Sequence, residues 1–121
     1  MHEPWVILTR RYGEDMRSPT TQQLADAVSE VYHETIPGMT PAFYAEHGSA
    51  LLRYGYDEGP MFVLYVDRLH QVVFEEWADQ DYEVERAPAR KMRDVSEVQA
   101  CELLGWLADG QIDWLRSQHW E

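Results

Sequence analysis

The run Met61-Phe62-Val63-Leu64-Tyr65-Val66 constrains this 121-residue chain more than any other segment. It is rich in β-formers and apolar on both faces. A strand of that kind belongs at the centre of a sheet, covered on both sides. Ahead of it stand the turn-forming residues Asp57-Glu58-Gly59-Pro60, and ahead of those a second β-rich run, Ala50-Leu51-Leu52-Arg53-Tyr54-Gly55-Tyr56. The two runs and their connection predict a hairpin.

Other strands follow from this core. Arg68-Leu69-His70 is a second tight connection, and Gln71-Val72-Val73-Phe74 predicts a third strand running into an acidic segment. Tyr82 and Val84 alternate with Glu83 and Glu85, the pattern of an edge strand with one wet face. At the other end of the chain, Trp5-Val6-Ile7-Leu8-Thr9 predicts an opening strand, and residues 10–17, polar and containing Gly13, predict a loop.

Two helices complete the pattern. Ser18-Pro19 reads as a helix entry, with a capping hydroxyl and Pro at the first helical position. Leu24, Ala27, Val28, Val31 and Tyr32 then line one apolar face, and Pro37-Gly38 ends the region. The second helix opens at Asp94-Val95-Ser96-Glu97, with Ser96 and Gln99 at capping-box spacing. Val98, Cys101, Leu104 or Gly105, and Leu107-Ala108 continue it at helical spacing, and Gly110 stops it. Residues 40–48 fit a short helical turn or a loop. The tail carries Trp114 and Trp120, which suits packing back onto the body. The order predicts one α+β domain over residues 1–121: an antiparallel sheet of about five strands with two main helices packed on it.

The formal net charge is −12, with 22 acidic against 10 basic residues. Such a charge disfavours nucleic acid, whose phosphates would be repelled, and anionic membrane surfaces. It favours a cationic protein partner and steered association. Solubility alone would also account for it. The N-terminus lacks the basic and apolar regions of a signal peptide, and no apolar run approaches membrane-spanning length, so a cytoplasmic protein is expected.

Catalytic constellations are weak. The histidines at 2, 33, 47, 70 and 119 are scattered, with no His-Glu-x-x-His motif, so no metal is expected. Asp79-x-Asp81-x-Glu83 fails the calcium-loop register, because Val84 and Arg90 stand where Gly and a bidentate Glu are needed. Cys101, the single cysteine, falls on the apolar stripe of a helix and reads as an inert thiol. No enzyme, catalytic residue or cofactor is predicted, a small carboxylate-using enzyme being the least favoured reading.

What stands out is residues 75–85. Glu75, Glu76, Asp79, Asp81, Glu83 and Glu85 crowd around Trp77 and Tyr82, with no base among them. Six carboxylates so close together make a solvated face or a docking face for a basic cleft. If the strand from Gln71 runs on to Trp77, then Val73, Glu75 and Trp77 share one face and Val72, Phe74 and Glu76 the other. Both faces then mix apolar and acidic positions, which leaves Trp77 and Tyr82 open between core and interface. The candidate partner-binding set is Glu75, Glu76, Trp77, Asp79, Asp81, Tyr82, Glu83 and Glu85. The basic cluster Arg86, Arg90, Lys91 and Arg93 directly follows and compensates the acids internally.

The layout of opening strand, capped helix (residues 21–27), sheet hairpins with an acidic tail end, second helix over residues 95–110, then Ile112 and Trp120 near the end resembles the Imm1 family of bacterial immunity proteins. Trp114 and the lack of a Gly-rich middle depart from that pattern. The resemblance implies an α+β protein of interbacterial competition, an antitoxin-like inhibitor that occludes the active site of a cognate toxin from a polymorphic or type VI secretion system. An acidic adaptor or chaperone for a basic secreted protein is the alternative.

Overall fold

The computed structural model describes residues 4–34, 36–56 and 59–121. At its centre the expected hairpin is present: β3 (Ser49–Gly55) pairs antiparallel with β4 (Met61–Asp67), Leu52 opposite Leu64. Of its turn residues, Asp57 and Glu58 lie outside the described set. Four further strands flank the pair: β1 (Trp5–Thr9), β2 (Asp15–Arg17), β5 (Val72–Trp77) and β6 (Glu85–Met92). The sheet order is β2-β1-β3-β4-β5-β6 and every pairing is antiparallel, so the sheet has six strands rather than five. The sixth is β2, inside the segment expected to be a loop. Tight turning at Gly13, whose N–H donates to the Arg10 carbonyl, brings Asp15 back opposite Thr9.

Alternation divides each strand between two faces. Leu8, Leu52, Leu64 and Phe74 stand in register across the sheet, flanked by Ala50, Val66, Val72 and Met92. These residues are buried in one cluster with Leu24, Ala27, Val28 and Val31 of α1 (Thr21–His33) and Ala100, Leu103, Leu104 and Leu107 of α3 (Glu97–Ala108). One face of the sheet is therefore the helix-covered core, where each large apolar side chain contributes roughly 1.5–3 kcal/mol by leaving water. The architecture is α+β, with the helices on one side of an antiparallel sheet.

Local chemistry explains where the helices begin. α1 is capped by Thr20 rather than Ser18: the Gln23 N–H donates to the Thr20 hydroxyl, and the Gln23 side chain accepts from the Thr20 N–H. Ser18 stands two residues before that cap, and its backbone, at φ +48°, departs from the extended conformation an N-cap adopts. Ser96 caps α3 through the Gln99 N–H, as expected. Val98, expected on the buried stripe, faces outward instead, since the stripe turned inward is the one carrying Leu103, Leu104 and Leu107. Gly110, with φ at +75°, ends the α3 region, and a Cβ there would stand 2.7 Å from the Tyr54 hydroxyl.

Residues 40–48 contain a short helix, α2 (Pro41–Glu46), capped by Thr40 with Pro at its first position. It is held by Arg11, which is buried and donates to the carbonyls of Glu30, Tyr44 and His47 at 2.9–3.0 Å. The Arg11 guanidinium also lies 4.5 Å from the centre of the Tyr44 ring. One cation thus ties α1 to α2 and to the residue that caps its C-terminus. At the other end, α4 (Ile112–Arg116) precedes a tail whose Trp120 ring stacks on Phe74 at 5.8 Å and donates from Nε1 to the Leu115 carbonyl. The tail packs back onto the body, as its tryptophans suggested. No helix among the described residues is long and apolar enough to cross a membrane.

Replacing Arg11 by Met keeps the side-chain length but strands three carbonyl groups. We expect Arg11→Met to lower unfolding stability by about 3 kcal/mol. Urea denaturation followed by circular dichroism measures this; an unchanged midpoint would show that the three bonds contribute nothing net.

Candidate partner interface

β5 carries the acidic segment out of the core. Phe74 pairs with Leu64 on the helix side, so Glu76, two residues on, also faces the helices, while Val73, Glu75 and Trp77 face away. The structure accordingly separates the candidate residues. Glu76 is 3% exposed and is removed from any docking surface. It accepts from Arg90 Nη1 at 2.5 Å and from Arg116 Nη2 at 2.7 Å. Burial alone would push its carboxyl upward, but hydrogen bonds and charge from Arg116 and Arg90 outweigh burial and hold it below its ordinary value. Glu76 fastens α4 and the edge strand to the sheet. Arg90 belongs to the basic cluster expected to compensate the acids, and here it does so; Arg116 comes from a segment 40 residues away that the sequence pattern did not connect.

Residues 78–84 form a loop rather than the expected edge strand. Asp79 folds it: its carboxylate accepts the backbone N–H groups of Val84 (3.0 Å) and Glu83 (3.2 Å). Those N–H groups, the one from Val84 foremost, hold the Asp79 carboxyl below its ordinary value. Tyr82 takes φ of +59°, which no strand residue adopts. The Ala78 N–H closes the loop on the Val84 carbonyl, and Gln80 Nε2 donates to the Gly59 carbonyl, tying the loop to the β3–β4 connection. The edge strand is instead β6, where one extra residue between the partners of Phe74 and Glu76 makes a bulge around Pro88. Proline is tolerated there because an edge strand has N–H groups to spare.

On the face away from the helices, Val63 lies between Arg53 and Glu75, and Met61 between Gly55 and Trp77. Both are fully buried although they stand outside the helix-side core cluster. Their surroundings are aromatic. The Trp5 indole lies against Gly55, so close that a Cβ there would come within 2.8 Å of the ring. Trp77 meets Tyr82 edge to face, with ring centres 5.2 Å apart, and its Nε1 donates to Glu75 Oε1 at 3.1 Å. Burial raises the Tyr82 phenol, with Arg53 opposing and Glu75 reinforcing; Tyr65 is raised by burial and then by Glu75 and Tyr82. Tyr82 thus lies against Trp77, on the face of the sheet that also carries Arg53, Tyr65 and Glu75.

The two aromatics differ in exposure. Trp77 is half-buried, whereas Tyr82 is 39% exposed and Val84 56% exposed. Around them Asp81, Glu83 and Glu85 are exposed, and their carboxylates have no hydrogen-bond or ion-pair partner among the described residues. Of the eight candidate residues, those that present a surface are Asp81, Tyr82, Glu83 and Glu85, with Val84 added. Glu75, Trp77 and Asp79 support the loop. Trp5, Arg53 and Tyr65 belong to the same face and were missed, since their strand neighbours follow from sheet order and not from local pattern.

Other chemistry-bearing residues are engaged elsewhere. His33 bonds to Glu97 at 2.7 Å, and His70 stacks on Tyr32 at 4.1 Å. Cys101 is half-buried, and burial raises its thiol. Among the described residues no group of three or more His, Cys, Asp and Glu is arranged to hold a metal ion. Comparison of the chain with family models, curated proteins and solved structures returns no match.

The Glu76 cluster has a defined pH signature. A carboxyl held below its usual value near 4.5 adds stability above that pH and loses it as the pH falls through the folded value. At neutral pH, Glu76→Gln should cost about 2 kcal/mol, less than a fully buried pair because both arginines touch water. Denaturation midpoints of the two proteins should converge on acidification below pH 4.5. A gap that is constant with pH would assign the loss to packing.

Proposed function

We propose that the chain is a stoichiometric inhibitor, an immunity-type protein that docks loop 78–85 into the basic cleft of a toxin. The observation that carries this reading is the pre-folded acidic prominence: Asp81, Glu83 and Glu85, without a partner among the described residues, around exposed Tyr82 and Val84. An exposed aromatic ringed by one sign of charge suits a hot spot within a complementary cleft. Because Asp79, Gln80 and the Trp77–Tyr82 contact already order the loop, little conformational freedom is lost on binding. Net charge of −12 adds long-range steering toward a cationic partner. Where that cleft ordinarily holds nucleic acid or a nucleotide, the carboxylates stand in for phosphates. On this reading the chain acts in the cytoplasm of the producing cell and has no catalytic residue of its own. The resemblance to Imm1-type immunity proteins supports the same assignment.

Affinity capture from the source cell, followed by a growth assay, tests the proposal. The captured basic protein should arrest growth when expressed alone, and co-expression of this chain should restore it. A captured partner without toxicity would favour an adaptor or chaperone and overturn the immunity reading.

With that partner in hand, reversing Asp81, Glu83 and Glu85 to Lys should slow association by roughly ten- to a hundredfold at low salt and flatten its salt dependence. Tyr82→Ala should act on dissociation, costing about 2 kcal/mol of affinity. Stopped-flow association at several ionic strengths separates the two effects. Unchanged salt dependence in the charge-reversed protein would rule out the acidic loop as the contact.

A further inference from the structure

The outer surface of α3 is unusually apolar for a face turned to water. Ala100, Leu103, Leu104 and Leu107 already fill the core side. Yet on the outward side Val98 is 69% exposed, and Cys101 and Trp106, which pack partly against the core, are only half-buried at the edges of that face. A Cβ built on Gly105 would meet nothing within 4 Å. Trp106 sits edge-on to Trp114 of α4 at 5.7 Å, and Trp114 is 53% exposed. A helix apolar around most of its circumference is ordinarily covered on all sides. Beside Val98 and Cys101, toward the start of α1, lies a groove of about 600 Å³ lined also by Thr21, Glu97 and Glu102.

The charges around this strip have one sign. Glu102, Asp109 and Asp113 are exposed and acidic. The neighbouring base, Arg116, is already bonded to Glu76 and Asp113. We infer that the α3 outer face receives a basic amphipathic helix from a partner protein. The strip runs from Val98 to Trp106, about 12 Å along the helix axis, which spans roughly two turns of a second helix. Cys101 and Gly105, one turn apart, allow close approach of its backbone, while Val98 and Trp114 bound the seat at either end. Lys or Arg flanking the incoming apolar face would meet Glu102, Asp109 and Asp113. A second copy of this chain is the wrong occupant, because a two-fold contact would set those same acids against themselves. Loop 78–84 lies on the other side of the sheet, so this surface is independent of the proposed toxin contact.

The probe is a synthetic amphipathic helix of Leu and Lys, about 18 residues long, titrated into the full chain while tryptophan emission is recorded. Binding should shift the emission to the blue in the native protein and by less in Trp114→Phe, where Trp106 alone reports on the seat, and an all-Glu version of the peptide should not bind. Gly105→Gln, which improves helix propensity and so preserves folding, should weaken binding roughly tenfold. The triple reversal of Asp81, Glu83 and Glu85 to Lys should leave it within about twofold. The proposal is overturned if the Lys peptide binds no better than the Glu peptide, or if Gly105→Gln has no effect. Loss of binding on loop reversal would relocate the peptide to the loop. Light scattering showing a dimer that Gly105→Gln dissociates would assign the face to self-association.

Discussion

β4 sets the problem that the rest of the molecule solves. Phe62, Leu64 and Val66 point one way and Met61 and Val63 the other, and all five are buried. A strand dry on both faces needs two covers, since each exposed side chain of this size would forfeit roughly 1.5–3 kcal/mol. α1 and α3 cover the first face. On the second, Trp5 lies against Gly55, the partner of Met61, and Trp77, paired with Met61 from the other side, meets Tyr82 edge to face. The aromatic residues inside the acidic segment are there partly for this reason. Their role as cover draws the loop back over the sheet, and that in turn holds its outer carboxylates at one place.

Carboxylates of the same segment end in different situations because of position alone. Glu76 is sealed beneath Arg90 and Arg116 and acts as a clamp for the C-terminal helix. Asp79 bonds backbone N–H groups and acts as the fold of the loop. Glu75 accepts from the Trp77 indole. Asp81, Glu83 and Glu85 are exposed, with no side-chain partner among the described residues. A count of acidic residues treats them as equal, whereas desolvation and hydrogen bonding do not.

Much of the framework was legible from local pattern. The central hairpin, the strand through Phe74, the amphipathic face of α1 and the Ser96 cap of α3 all rest on interactions within a few residues, which the sequence displays directly. β2 was not legible, because three residues carry no periodicity and Asp15–Arg17 becomes a strand only by pairing with β1. The loop at 78–84 was misread as a strand because alternation of Tyr82, Glu83, Val84 and Glu85 imitates one; the Asp79 carboxylate competes for the N–H groups that a ladder would use. Val98 kept helical spacing with Cys101, yet spacing cannot say which of two apolar stripes on α3 turns inward.

By itself, then, the sequence determined the class of fold, the central place of β4 and the presence of an acidic, aromatic segment beside it, since these follow from composition and from periods of two and 3.6 residues. Only the tertiary structure decided which of those acids face water. That depended on which side of the sheet the helices take, and on Arg116 arriving 40 residues later to bury Glu76. Burial and ion pairing are properties of neighbours in space, and residues so far apart along the chain become neighbours only when it has folded.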